Sequence, residues 1–182
     1  MPLAFDAGAI DAAAHALCDA FRARRWRLAT AESCTGGGIA HAITGVAGSS
    51  EVLDRGFVTY SNEAKIDMLG VDAAAIGRHG AVSEAVALAM ADGALRASRA
   101  DAAVAVTGIA GPGGGTPGKP VGTVCFAWAT LDGVRVAATH RLDGDRAAVR
   151  ARSVAIALDG LARLAAPGSG GDEPTATGDP AT

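Results

Sequence analysis

The sequence predicts an α/β protein, a three-layer α/β/α sandwich on a mixed, mostly parallel five-strand sheet with one C-terminal hairpin. Strand-like runs alternate with longer segments of helical periodicity, as in folds where helices cover both faces of a sheet. Ala102 to Val106 is a short, continuous apolar run, which is typical of a buried central strand. Asp132-Gly133, between two further strand-like runs, indicates a tight hairpin.

The first half of the chain supplies two strands and four helices. Ile10, Ala14, Leu17 and Phe21 recur at helical spacing and predict an amphipathic first helix. Ser61 or Asn62 is the expected N-cap of the third helix. The predicted elements are a helix over 8–25, a strand over 27–31, a helix ending near 43, a strand over 56–60, a helix ending at Gly70 and a short helix over 72–77.

The second half completes the sheet. Ser83 is the expected N-cap of a longer helix, and Asp143-Gly-Asp145 introduces the last one. We predict one domain over residues 1–165 and, from the Gly-, Pro- and acid-rich composition, a disordered tail over residues 166–182. The predicted elements are a helix from Ser83 to Ala97, strands over 102–106, 121–129 and 134–140, and a helix ending at Leu164.

Composition excludes several classes of protein. Lys and Arg number 16 against 19 Asp and Glu, and a nucleic-acid module normally shows a basic excess on one face. The dense run Arg22 to Arg27 is interpreted as the solvated C-terminal end of the first helix. Three Cys without paired spacing and four unclustered His indicate neither a disulfide framework nor a metal site. The sequence shows no signal peptide and no apolar run long enough to span a membrane, so we expect a cytoplasmic protein.

The first segment with chemical potential is Thr30 to Gly38, read as a strand that turns through small residues into a helix. Such a turn exposes its side chains at the sheet edge and presents main-chain N–H groups beside them. Ser33 and Cys34 are both candidate nucleophiles there, and an ordinary N-cap serine is the structural alternative. Glu32 either orients this site or faces solvent.

The second segment is Tyr60 to Lys65, where a strand end meets the first turn of a helix. The positive end of the helix dipole and partial burial would both lower the pKa of Lys65 and favour its neutral form. A neutral lysine can act as a general base. An exposed surface lysine is the alternative.

The third segment is the glycine-rich stretch Thr107 to Pro120, whose main chain can approach a ligand closely. Residues 113–119 fit the start of a phosphate-binding P-loop, but Pro120 replaces the metal-binding Ser or Thr and a strand follows instead of a helix. A lid or anion-binding loop remains possible, as does a plain surface loop. Arg146 and Arg150, one helical turn apart, could bind a phosphate or form a solvated helix face.

Three long motifs occur in order, AESCTGGGIA, GFVTYSNEAKIDMLGV and TGIAGPGGGTPGKPVGTV. In them the sequence resembles the CinA C-terminal domain family. The resemblance covers about residues 8–165 and implies a nicotinamide-nucleotide amidase of the same α/β/α fold. It further implies hydrolysis of nicotinamide mononucleotide to nicotinic acid mononucleotide and ammonia in pyridine nucleotide salvage, and a homo-oligomer.

The resemblance also implies roles for individual residues. Ser33 corresponds to the family's nucleophile, and Tyr60 and Lys65 to its tyrosine and lysine. The family's TGIAGP loop, which helps to hold the nucleotide, corresponds to Thr107 to Pro112. The turn after Thr30 and one arginine are added from the residue arguments above, and no cofactor or metal is expected. The predicted substrate-binding residues are Cys34, Thr35, Gly36, Gly37, Thr107, Gly108, Ala110, Gly111, Gly113, Gly114 and Arg146.

The mechanism that follows is acyl transfer. Neutral Lys65 would take the proton of Ser33 as the hydroxyl attacks the carboxamide, and main-chain N–H groups of the turn would stabilise the oxyanion. Tyr60 would either bridge Ser33 and Lys65 or relay a proton to the departing ammonia. Two alternatives remain at this point, a cysteine amidase that uses Cys34 and a non-catalytic module that binds a pyridine nucleotide or a phosphate.

Overall fold

A computed structural model describes residues 7–166 of the 182-residue chain. Helices and strands alternate along most of this range, as the sequence predicts. A 3₁₀ turn at Ser49–Glu51 precedes the second strand. The elements are α1 (Ala7–Arg24), β1 (Leu28–Glu32), α2 (Gly38–Thr44), β2 (Leu53–Val58), α3 (Asn62–Leu69), α4 (Ala73–His79), α5 (Glu84–Arg96), β3 (Ala102–Gly108), β4 (Thr123–Thr130), β5 (Arg135–Arg141) and α6 (Arg146–Ala165).

The five strands form one mixed sheet in the order β2-β1-β3-β4-β5. β1 pairs in parallel with both β2 and β3. β4 pairs antiparallel with β3 and with β5, so β4 alone of these five strands runs against the others. This arrangement confirms the predicted mixed, mostly parallel sheet with a C-terminal hairpin.

Helices cover both faces of the sheet and make the predicted three layers. α1, α2 and α6 pack on the face that carries Leu28, Val104 and Phe126. On the other face the strands present small residues, such as Ala103 and Ala105, and these allow α5 to pack directly on the sheet. α3 and α4 then pack against α5. Because β3 is buried on both faces, its sequence is apolar from Ala102 to Val106 rather than alternating.

Local signals set the helix ends where the sequence predicts them. The Ser61 side chain accepts a hydrogen bond from the Ala64 N–H and caps α3, which ends at Gly70 in the left-handed conformation. Asp145 caps α6 in the same way, by accepting from the Ala148 N–H. These side chains satisfy N–H groups that a helix cannot satisfy itself. They therefore fix the orientation of the first turns of α3 and α6, both of which reach the site described below.

Several strand boundaries differ from prediction; β3, for example, extends to Gly108 and not only to Val106. β2 runs from Leu53 to Val58 instead of over 56–60, because it is an edge strand whose exposed positions accept polar residues such as Arg55. Tyr60 consequently lies beyond the strand end. β4 begins at Thr123 and not at residue 121, since Gly122 has a φ of 90° and ends the preceding loop.

The dense arginine run near the end of α1 forms contacts within the protein. Arg22 donates to the Asp19 carboxylate and to the Ala47 carbonyl. The Arg24 guanidinium lies 4.5 Å from the centroid of the Trp26 ring. The predicted tail lies, from residue 167 onward, outside the described residues. No helix between residues 7 and 166 is both long and apolar enough to cross a bilayer.

Candidate active site

The site lies where β1 and β3 end side by side at one edge of the sheet. Parallel strands bring their carboxyl ends together, which is where open α/β sheets bind ligands. One pocket at this edge is lined by eight of the predicted site residues. They are Ser33, Cys34, Tyr60, Lys65, Thr107, Gly108, Ala110 and Arg146.

Ser33 begins the turn that connects β1 to α2. Its N–H donates to the Val106 carbonyl at 2.9 Å, which holds the residue directly beside β3. The chain then reverses through Gly36 and Gly37, whose φ angles of 61° and 93° are in the left-handed region that favours glycine. The turn thus directs Ser33 into the pocket, although only 8% of the residue is exposed.

Lys65 lies across the pocket from this turn, on the first turn of α3. Its Nζ is 3.1 Å from Oγ of Ser33, 2.9 Å from the Thr59 carbonyl oxygen and 3.4 Å from the Ser61 carbonyl oxygen. The residue is 1% exposed, so the alternative of an exposed surface lysine is wrong. Burial lowers the pKa of Lys65 below its ordinary value, while Cys34 and Glu63 act in the opposite direction. The geometry therefore presents a hydroxyl and an amine of lowered pKa within hydrogen-bond distance.

Cys34 also lines the pocket. Burial raises the pKa of its thiol to about 11, and smaller favourable effects from its own main-chain N–H and from Arg150 do not offset it. A thiol is nucleophilic as the thiolate. The Cys34 thiol is therefore not activated as a thiolate, whereas the Ser33 hydroxyl has the Lys65 amine within hydrogen-bond distance.

Tyr60 and Arg146 form the outer wall of the pocket. An Arg146 guanidinium N–H donates to the Tyr60 hydroxyl at 2.9 Å, and another donates to the Gly111 carbonyl at the same distance. Tyr60 is 61% exposed. Its hydroxyl is bound by Arg146, while Ser33 and Lys65 pair directly with each other. The two roles considered for Tyr60, a bridge between Ser33 and Lys65 and a proton relay, both stay predictions.

The glycine-rich loop contributes only its first part to the pocket. The Thr107 hydroxyl donates to the Ala81 carbonyl at 2.9 Å, and this bond ties the end of β3 to the residues just before α5. Gly113 and Gly114, predicted to bind substrate, are exposed and do not line the pocket. They lie further along the loop, in the exposed stretch that begins at Pro112. β4 follows the loop, as expected from the rejection of the P-loop interpretation.

Four other predicted substrate-binding residues support the pocket without lining it. Thr35 is 1% exposed, and its carbonyl accepts a hydrogen bond from Arg150 at 3.0 Å. Gly36 and Gly37 form the back of the turn, and Gly111 holds Arg146. Arg150, considered from the sequence as a phosphate ligand, therefore bonds to the Thr35 carbonyl and does not line the pocket.

Some residues of the site were not identified from sequence. Asn62, Ala81 and Val82 line the pocket. Asn62 stands between two predicted site residues, a signal that could have identified it, whereas nothing in the sequence marks Ala81 or Val82. None of the described residues that line the pocket carries a carboxylate, so Arg146 has no acidic side chain opposing it there.

Known proteins resemble this chain over nearly the whole described range. Residues 10–165 match the model of the CinA C-terminal domain family. A CinA-like protein of Mycolicibacterium gilvum is 58% identical over 143 residues, which are 79% of this chain and 34% of that protein, so the chain spans about a third of its length. A nicotinamide-nucleotide amidohydrolase, PncC of Escherichia coli K12, is 55% identical over 142 residues, covering 78% of this chain and 86% of that enzyme.

Solved structures share the fold. The competence/damage inducible protein CihA from Agrobacterium tumefaciens superposes with a TM-score of 0.85 at 49% identity, covering 90% of this chain and 99% of that one. A CinA superfamily protein from Escherichia coli superposes with a TM-score of 0.83 at 38% identity, covering 90% and 93%.

Proposed function

The chain belongs to the CinA C-terminal domain family, and we propose that it hydrolyses the carboxamide of nicotinamide mononucleotide to nicotinic acid mononucleotide and ammonia. The amidohydrolase name of the Escherichia coli relative supports the reaction class. The observation that carries the proposal is the direct pairing of Ser33 Oγ with Lys65 Nζ at 3.1 Å in a buried position. A hydroxyl next to an amine of lowered pKa is suited to nucleophilic attack on a carbonyl carbon.

The neutral amine of Lys65 would be oriented by its two carbonyl contacts. A neutral amine has two N–H donors and one lone pair. The carbonyls of Thr59 and Ser61 would accept the two N–H bonds, and the lone pair would then point to the Ser33 hydroxyl. Ser33 Oγ attacks the carboxamide carbon while its proton passes to Lys65.

The negative charge that develops on the carboxamide oxygen would be stabilised by main-chain N–H groups of the turn. Among the described residues, the N–H groups of Cys34, Thr35 and Gly37 form no main-chain hydrogen bond. An oxyanion donor of this kind contributes about 3 kcal/mol to the transition state. The turn would therefore supply both the nucleophile and the oxyanion site.

The leaving group needs a proton, and the ester that remains needs water. Protonated Lys65 returns its proton to the departing nitrogen, directly or through the Tyr60 hydroxyl, and ammonia leaves. Water then attacks the ester between Ser33 and the nicotinate carbonyl, with neutral Lys65 accepting a proton from that water. The proton returns to Ser33 Oγ as the C–O bond breaks, and the enzyme is regenerated.

Recognition of the nucleotide would rest on Arg146. Its guanidinium is at the outer wall of a pocket whose described lining has no carboxylate. A phosphate could accept hydrogen bonds from it in place of the Tyr60 hydroxyl and the Gly111 carbonyl, since charged acceptors form the stronger bonds.

We further propose that residues 1–165 act as one amidase domain and that the chain forms a homo-oligomer, as the family resemblance implies. Light scattering tests the assembly.

Ammonia release from nicotinamide mononucleotide tests the proposed function. We expect turnover by the wild-type protein and a loss of about 10³-fold or more in Ser33→Ala, because removing the nucleophile of a catalytic unit removes most of its effect. Cys34→Ala is the matched control in the same turn, and we expect it to stay within about tenfold of wild type, because main-chain oxyanion donors survive loss of the thiol. A live Ser33→Ala with a dead Cys34→Ala would assign the reaction to the thiol. No ammonia from the wild type would favour a binding module.

A further inference from the structure

Glu32 carries a fully buried carboxylate directly before the proposed nucleophile. The residue is 0% exposed, and its oxygens accept hydrogen bonds from the Ile39 N–H at 3.0 Å, the Ala40 N–H at 2.9 Å and the Thr30 hydroxyl at 3.2 Å. A carboxylate removed from water is costly unless it is hydrogen-bonded, and these three donors provide the bonds. Glu32 therefore does not face solvent, the alternative that the sequence left open.

This carboxylate replaces the usual cap of α2. The residue at the N-cap position is Gly37, which offers no side-chain acceptor. Glu32 caps the helix from the opposite side of the turn, so its side chain joins the end of β1 to the beginning of α2. The residues between them, from Ser33 to Gly37, form a loop that is closed at its base by these hydrogen bonds.

The same bonds decide which N–H groups can reach a substrate. The N–H groups of Ile39 and Ala40 point to the carboxylate and are not available to the pocket. Glu32 itself does not line the pocket. Apart from the effect of its charge on the Cys34 thiol, it can influence a reaction there through the path of the turn.

We infer that Glu32 is a positioning residue for the reaction at Ser33. By binding α2 it fixes the turn so that Ser33 Oγ stays 3.1 Å from Lys65 Nζ while the N–H groups of Cys34, Thr35 and Gly37 remain available to the oxyanion. The inference rests on the proposed function. It extends that proposal to a residue that does not contact the substrate.

Glu32→Gln is the direct test, because the amide keeps the size of the side chain but loses one acceptor oxygen. Its NH₂ group would face a main-chain N–H and repel it. We expect kcat to fall by about 10²-fold, as for displacements of about 1 Å in a catalytic group, with KM within about threefold. The control is Asp72→Ala, which removes the acidic cap of α4 that accepts from the Ala74 N–H. It should lower the melting temperature and leave kcat unchanged.

Amide hydrogen exchange without substrate supplies a second readout. In Glu32→Gln, the N–H groups of Ile39 and Ala40 should exchange at least about tenfold faster, while those of β3 keep their rates, because only the local hydrogen bonds are weakened. If this variant does not fold, Thr30→Val removes one donor and retains the carboxylate. We then expect a smaller loss, about three- to tenfold in kcat, in line with one hydrogen bond.

The outcomes separate this inference from the proposed function. Wild-type kcat in folded Glu32→Gln or Thr30→Val, or unchanged exchange at Ile39 and Ala40, would overturn the inference while the amidase proposal stands. A kcat that falls only in proportion to the unfolded fraction would also overturn it. A wild-type protein that releases no ammonia would refute the amidase proposal, and the exchange rates would still decide whether Glu32 fixes the turn.

Discussion

Replacement of Lys65 by arginine separates a general base from a fixed charge. Lys65 is 1% exposed, and its Nζ contacts the Ser33 hydroxyl and two carbonyls. Arginine keeps the positive charge and the donors but remains protonated at every accessible pH. If Lys65 is the base, the variant loses the full contribution of proton transfer, about 10²- to 10⁴-fold in kcat/KM, or about 3 to 5 kcal/mol. Lys65→Met should lose a similar factor without adding bulk to the buried site.

The pH dependence of kcat/KM should reflect the lowered pKa of Lys65. Burial disfavours the protonated amine and lowers the pKa of Lys65, so the neutral form appears at lower pH than in an exposed lysine. In the wild type, kcat/KM should rise about tenfold per pH unit and level off below the ~10.4 of an ordinary lysine. The rising limb should be absent in Lys65→Arg.

The assay is ammonia release between pH 5 and 10, with each variant shown to be folded by circular dichroism. Lys119→Arg is the matched control, because Lys119 is the only other lysine of the chain and its Nζ donates to the His79 carbonyl. We expect this control to stay within about threefold of wild type, since arginine can donate to the same carbonyl. A folded Lys65→Arg that retains most of the wild-type rate would refute the base assignment, and the residue would then act as a fixed charge.

Three further outcomes are expected. Arg146→Ala should raise KM for nicotinamide mononucleotide about 10- to 100-fold, the range for loss of charge-assisted hydrogen bonds, and should leave KM for the nucleoside nearly unchanged; equal effects on both would remove the phosphate role. Gly160→Ala should lower the free energy of unfolding by about 1–3 kcal/mol in urea titration, because the added Cβ would overlap the Trp128 indole; wild-type stability would show that the helix can shift there. Deleting residues 168–182 should change neither the melting temperature nor activity, since their composition offers little apolar area to bury; a large loss would show that this segment docks on the domain.

The fold class and the proximity of Ser33 and Lys65 could be predicted from the sequence, because the strands, turns and helix caps that set them have local sequence signals. Ser33 and Lys65 each follow a strand end, and parallel strands bring such ends together, so their proximity could be predicted. Tyr60 could be placed near them for the same reason. Its bond to Arg146 could not, because the two residues are 86 positions apart and meet only through the packing of α6.

Glu32 shows a different limit of sequence reasoning. Its burial depends on the path of the turn through Gly36 and Gly37, which returns Ile39 and Ala40 to the carboxylate. A side chain at the end of a strand can point into the protein or away from it, and the residues that follow decide which. The partners of a buried charge are thus a property of the folded turn rather than of the motif alone.

Capture of the acyl-enzyme tests the central claim, that Ser33 attacks the carboxamide, most directly. The wild-type protein is mixed with nicotinamide mononucleotide in the presence of hydroxylamine, quenched in acid at early times, digested and analysed by mass spectrometry. The mechanism predicts a nicotinate mononucleotide ester on the peptide that contains Ser33, a hydroxamate product from hydroxylamine, and neither in Ser33→Ala. An acyl group on Cys34, or full turnover with no hydroxamate and an unmodified Ser33 at every time, would contradict it.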